Sequence, residues 1–147
     1  MTIFKKPVAS LPGQERIARH PHGGRVFIHA TAEETAGAFG AWETFSAPGT
    51  GPTSHTHTRE TEMFRVIVGT YRFWCGDEVI DAPEGSTIVL PPHVPHRWKN
   101  IGDLPGRMMG IVTPGGFERF FDELERSGAD TPEKILAIQE QFGLIEG

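Results

Sequence analysis

From Arg25 onward, short runs rich in β-branched and aromatic residues alternate with Gly, Pro and Asp punctuation. The runs fall at 25–30, 39–46, 62–68, 71–75, 78–81, 86–90, 96–100 and 107–113. Around eight short strands at this spacing predict an all-β sandwich or barrel. The period then changes, because Phe117, Phe120, Phe121 and Leu124 fall at i, i+3, i+4 and i+7 on one face of a helix. That helix is expected over about 115–127. Thr131 can cap a second, over about 132–142, with Pro132 at its first position and Ile135, Ile138 and Phe142 inward before Gly143. The stretch through His22 contains Pro7, Pro12, Gly13 and Pro21 and shows no clear period, so it reads as an N-terminal arm lying along the domain, with only its end joining the fold.

A chain of 147 residues fits a single domain spanning 1–147, with the barrel at about 25–113. Its 18 glycines exceed the usual share of roughly 7% and suit many tight turns. The formal charge of -5, with 14 scattered Lys and Arg, provides no basic field for nucleic acid or anionic lipid. No run approaches the roughly 20 apolar residues that span a bilayer, and the first ten residues lack a signal-peptide core. A cytoplasmic protein is expected. The single cysteine, Cys75, excludes an intramolecular disulfide and reads as a core residue.

Four of the seven histidines lie in two short windows, 54–62 and 93–100. His55 and His57 are two apart, so on a strand their side chains share one face. Glu62 follows His57 at an odd separation, so the strand must break at 58–61 before Glu62 opens a second strand with inward Phe64, Val66 and Val68. His96 must come from a third. Three imidazoles and one carboxylate make an N3O site with open positions, suited to one divalent ion of iron, manganese, nickel, cobalt or zinc. The net charge near +1 that such a site retains favours an anionic oxygen ligand: an enolate, phenolate, carboxylate or hydroxide. Phe64 and Trp98 share the inward faces of Glu62 and His96 and are expected to line a substrate pocket.

The spacing reads Gly49-x5-His55-x-His57-x4-Glu62-x6-Gly69, then Gly85-x5-Pro91-x-His93-x2-His96-x3-Asn100. These segments resemble the two cupin motifs, and Gly76 also falls on a glycine of the pattern. The resemblance implies a cupin double-stranded β-helix, or jelly-roll barrel, and transfers the family's metal ligands onto His55, His57, Glu62 and His96. One departure is visible, since the second motif usually has glycine where this chain has His93. The segment 116–124 after Thr-Pro is similar to the tail of single-domain cupins akin to quercetin dioxygenases.

Lone histidines in strands are ordinarily hydrogen-bonded structural residues, and His20, His22 and His29 receive that reading. Glu60, in the expected break among polar neighbours, reads as solvent-exposed, as do Arg65 and Arg72 on outward strand positions. His93 reads as a surface turn residue. The leading function is a dioxygenase-like enzyme acting, through the metal at His55, His57, Glu62 and His96, on a small enolic or phenolic molecule. A metal-dependent isomerase, epimerase or lyase is the alternative, and a non-catalytic ligand-binding cupin the third. Open sheet edges favour a homodimer.

Overall fold

The computed structural model describes residues 3–147. Its strands are β1 (Arg16–Arg19), β2 (Arg25–Ala30), β3 (Gly40–Ser46), β4 (His55–His57), β5 (Thr61–Val68), β6 (Tyr71–Cys75), β7 (Glu78–Ala82), β8 (Thr87–Leu90), β9 (His96–Asn100), β10 (Gly106–Thr113) and β11 (Leu144–Glu146). The helices α1 (Arg119–Ser127) and α2 (Pro132–Gln141) lie between β10 and β11. Antiparallel pairing builds one sheet in the order β1-β2-β3-β10-β5-β8 and a second in the order β11-β4-β9-β6-β7. This is the expected all-β jelly roll with two short C-terminal helices.

Period-2 alternation decides what enters the core. In β10 every second residue from Gly106 to Val112 is buried, and in β6 and β9 the inward set is Tyr71, Phe73, His96, Trp98 and Asn100. Met108, Val112, Trp42, Phe64, Val66 and Leu90 join Tyr71, Phe73 and Trp98 in one hydrophobic cluster. β10 lies between β3 and β5 and pairs Gly110 with both Trp42 and Phe64. A Cβ at Gly110 would stand 2.5 Å from the Trp42 ring, so the bare backbone leaves room for the indole.

The cupin-like glycines mark turns. Gly49, Gly69, Gly76 and Gly85 all take positive φ. His93 takes φ 67 as well, so it adopts the left-handed conformation for which the motif ordinarily uses glycine. The turn is preserved, and the exposed His93 donates its backbone N–H to the His57 carbonyl at 2.9 Å. Buried Asn100 clamps the following turn, donating to the carbonyls of Ser46 and Leu104 and accepting from the Gly102 N–H.

All four apolar positions expected on α1 are buried. The helix begins four residues later than expected because buried Glu118 sits ahead of it, accepting from the N–H groups of Ala32 and Gly116. Thr131 caps α2 by accepting from the Lys134 N–H at 3.3 Å.

The N-terminal arm departs from expectation, because it does more than join at its end. β1 pairs along its length with β2, from Arg16 opposite Ile28 to Arg19 opposite Arg25. Ahead of it, Ser10 hydrogen-bonds His29, whose other ring nitrogen meets Glu43 at 2.9 Å, and Arg107 pairs with the same carboxylate. His29 is thus the structural histidine that was expected. β11 was also unanticipated. It pairs Leu144 with His57 and Glu146 with His55, so the C-terminal residues flank the histidine strand.

Candidate metal centre

β4 presents His55 and His57, the chain bends at Thr58 and Arg59, and β5 then begins with Thr61 and Glu62. The break required by the odd spacing is therefore present. β4 pairs with β9 so that His55 stands opposite His96. Three imidazoles thus come from one sheet and the carboxylate from the other, and one candidate ligand atom from each residue lies within 4.8 Å of the rest.

The Glu62 carboxylate meets both neighbours. Its Oε1 lies 3.1 Å from His96 Nε2 and its Oε2 3.4 Å from His57 Nε2. The His55 and His96 ring centroids are 4.6 Å apart, and those of His57 and His96 are 5.3 Å apart. Donors bound to a single ion at about 2.1 Å are separated by roughly 3 to 4 Å, so a small inward movement closes the cluster on an ion. His57 Nε2 is buried and faces the middle of the cluster, with Glu62 Oε2 at 3.4 Å and no closer hydrogen-bond partner.

Outer partners fix two of the rings. His55 Nδ1 donates to the Thr53 carbonyl at 2.8 Å, and His57 Nδ1 donates to Glu60 Oε2 at 3.2 Å. Each bond settles the tautomer that turns Nε2 toward the cluster. Glu60 was expected in solvent. It is instead 3% exposed, because the break after β4 folds its side chain back beneath the ring of His57.

The charges follow from burial and proximity. Burial and the neighbouring His96 lower His55 to about 4, so it is a neutral donor. Burial alone would lower His57 too, but the Glu62 and Glu60 carboxylates raise it to about 10. Glu62 resists its own desolvation through His57 and lies well below the usual carboxylate range. The metal-free cluster therefore carries a proton on His57 where an ion would place positive charge.

His55 is the cluster residue that reaches an adjoining cavity of about 250 Å³. Phe117, Phe120, Ile135, Leu144 and Pro132 give that cavity an apolar wall, and no Lys or Arg lines it. Phe117 also packs edge-on against His57, centroids 4.5 Å apart. Phe64 and Trp98 lie deeper, each 2% exposed, with ring centroids 6.2 Å apart. Arg72 forms an ion pair with Asp81 at the surface, and Arg65 is exposed beside Thr87. Cys75 is partly buried against the core, and burial raises its thiol pKa.

Two cavity residues escaped the sequence reading: His20 and His22, at the tip between β1 and β2. Their spacing repeats that of His55 and His57, and Gly23-Gly24 behind them is a hairpin signal. Reading 16–22 as an irregular arm hid both cues.

A cupin-domain family model matches residues 43–112, the span that contains all four cluster residues. An uncharacterized protein of Methanocaldococcus jannaschii is 28% identical over 60 residues, 41% of this chain and 48% of that protein. The chain thus matches about half the length of that curated relative. Among solved structures, KdgF from Halomonas sp. superposes with a TM-score of 0.66 at 16% identity, covering 76% of this chain and 96% of that one. Pac13, described as a nucleoside dehydratase, gives 0.62 at 14% identity, covering 78% and 88%. No described helix is long and apolar enough to cross a membrane. Strand order and comparisons agree: the chain has the cupin double-stranded β-helix fold, and its residues 43–112 match the cupin-domain model.

Proposed function

We propose that the protein is a metal-dependent enzyme of oxygenase type, acting on a small organic molecule that joins an apolar body to an enolic or phenolic oxygen. The observation that carries this reading is the juxtaposition of the His55, His57, Glu62 and His96 cluster with an apolar cavity of about 250 Å³ at His55. Those four residues would hold the ion. A divalent ion there supplies Lewis acidity toward an oxygen anion and, if it is iron, manganese, nickel or cobalt, access to redox chemistry with dioxygen. The Thr53 carbonyl and Glu60 keep the rings of His55 and His57 oriented, while Phe117 and Leu144 exclude water from the side where substrate enters. Phe64 and Trp98 form the aromatic wall behind the cluster. With no cationic side chain in the cavity, a polyanion is disfavoured and a single anionic oxygen suffices. Iron-, manganese- or nickel-loaded protein is expected to consume oxygen with at least one member of a panel of enols and catechols. Silence across the whole panel overturns the proposal.

A second reading, a lyase or isomerase in which the ion only polarises oxygen, draws support from the likeness to the nucleoside dehydratase. Unchanged turnover by zinc-loaded protein without oxygen would select it. We also infer a homodimer through the outer strands β7 and β8, where Val79 and Val89 are 57% and 61% exposed. Light scattering should give the mass of two chains, and a one-chain mass contradicts the inference.

A further inference from the structure

The β1–β2 hairpin tip reads His20-Pro21-His22-Gly23-Gly24. It is closed by His20 N–H donating to the Gly24 carbonyl at 2.6 Å and Gly23 N–H donating to the His20 carbonyl at 2.8 Å. A Cβ at Gly24 would lie 2.3 Å from the Phe45 carbonyl oxygen and 2.8 Å from His22 Cε1, so only a bare backbone lets the tip fold this tightly. The fold packs the two imidazoles against each other, with centroids 3.9 Å apart and planes tilted by 35°. Trp98 meets both rings, at 5.5 and 5.4 Å, and Phe121 backs His20 at 5.5 Å.

This packing fixes the rings without satisfying them. His20 is 8% exposed, yet its Nδ1 lacks a hydrogen-bond partner, as do both ring nitrogens of His22. Buried polar atoms are paired in the great majority of cases, so three orphaned nitrogens in one pair of side chains require a reason. Both residues line the cavity shared with His55. Burial holds His20 well below its ordinary pKa, with His22 adding to the effect, and burial lowers His22 to about 4. Each ring is therefore neutral at pH 7 and offers one N–H donor and one lone pair. The cavity's 250 Å³ exceeds the roughly 150 Å³ that accepts benzene in an apolar protein cavity.

We propose that His20 and His22 form a neutral hydrogen-bonding subsite, separate from the metal cluster, that grips a hydroxyl or carbonyl group of a ligand about one ring in size. The ligand's apolar body would lie against Phe117, Phe120, Ile135 and Leu144. The inference rests on the enzyme reading above, because the subsite shares that cavity, but its test needs no metal.

Phenol and toluene, near-isosteres in which a hydroxyl replaces a methyl, are titrated into the metal-free and the zinc-loaded full chain while ¹⁵N imidazole resonances are followed. Phenol should bind about tenfold more tightly than toluene, the gain expected of a well-made neutral hydrogen bond. It should shift the ring nitrogens of His20 and His22 in the metal-free protein. In the double variant His20→Phe, His22→Phe the preference should vanish while toluene still binds, which shows that the cavity persists. If that variant does not fold, His22→Phe alone is compared in the same way. Equal binding of the two probes to the unaltered chain, resonance shifts confined to the other histidines, or no binding of either probe overturns the proposal. Failure of the metal reading is seen separately, as the absence of stoichiometric metal, and leaves the metal-free comparison intact.

Discussion

In the metal-free protein His57, with Nε2 3.4 Å from Glu62, lowers the pKa of that carboxyl against its burial, and the carboxylate in turn raises the pKa of His57. An incoming ion needs that same nitrogen, so binding must release the His57 proton. Because His57 titrates above its ordinary value, the proton is present throughout the neutral range. Metal affinity should therefore rise with pH, by up to about tenfold per unit for one proton released. Calorimetry in buffers of different ionisation enthalpy should report one proton per ion, and a pH-independent affinity would refute the linkage. Glu60→Gln should weaken metal binding by about 10- to 100-fold, as loss of an outer carboxylate typically does, measured by chelator competition. An unchanged affinity would show that the 3.2 Å contact to His57 does not orient the ring. These two carboxylates also mark what the sequence could convey at this scale. Glu62 was legible because strand parity fixes which face a residue occupies. Glu60 was not, since polar neighbours signal a chain break but say nothing of which way the side chain turns within it.

At the scale of elements, α1 was readable because a 3.6-residue period survives in Phe117, Phe120, Phe121 and Leu124, and all four are buried. Leu124 is fully enclosed, so Leu124→Ala should cost about 2–5 kcal/mol, read from urea unfolding; a cost below about 1 kcal/mol would mean the helix packs loosely. Gly110→Ala, which drives a methyl into the Trp42 ring, should cost about 1–3 kcal/mol by the same measurement. β1 and β11 were illegible for a common reason. Each buries one residue, Ala18 or Leu144, and is recruited by backbone pairing, which leaves little trace in side-chain pattern. β11 nevertheless borders the ligand strand, so removing residues 144–147 should weaken metal binding and lower the unfolding temperature. Metal affinity equal to that of the full chain would show that β4 holds its position without it.

Across the whole molecule, the cluster ties the two sheets together, with Glu62 on the strand set of β10 and the three imidazoles on that of β9. An ion that binds only the folded chain stabilises it by about 4 kcal/mol at a thousandfold excess over Kd, so metal should raise the unfolding temperature markedly. The jelly-roll class and motif register were visible from afar because turns repeat at glycines that take positive φ. The cavity was not, since it forms where the β1–β2 hairpin tip, α1, α2 and β11 meet. The most direct test of the account is metal analysis of protein purified from its own host, beside His57→Ala and Glu62→Gln purified in the same way. The account predicts one first-row divalent ion per chain, lost in both variants while the β-sheet circular dichroism persists. A metal-free native protein, or variants that keep the ion in full, would contradict it.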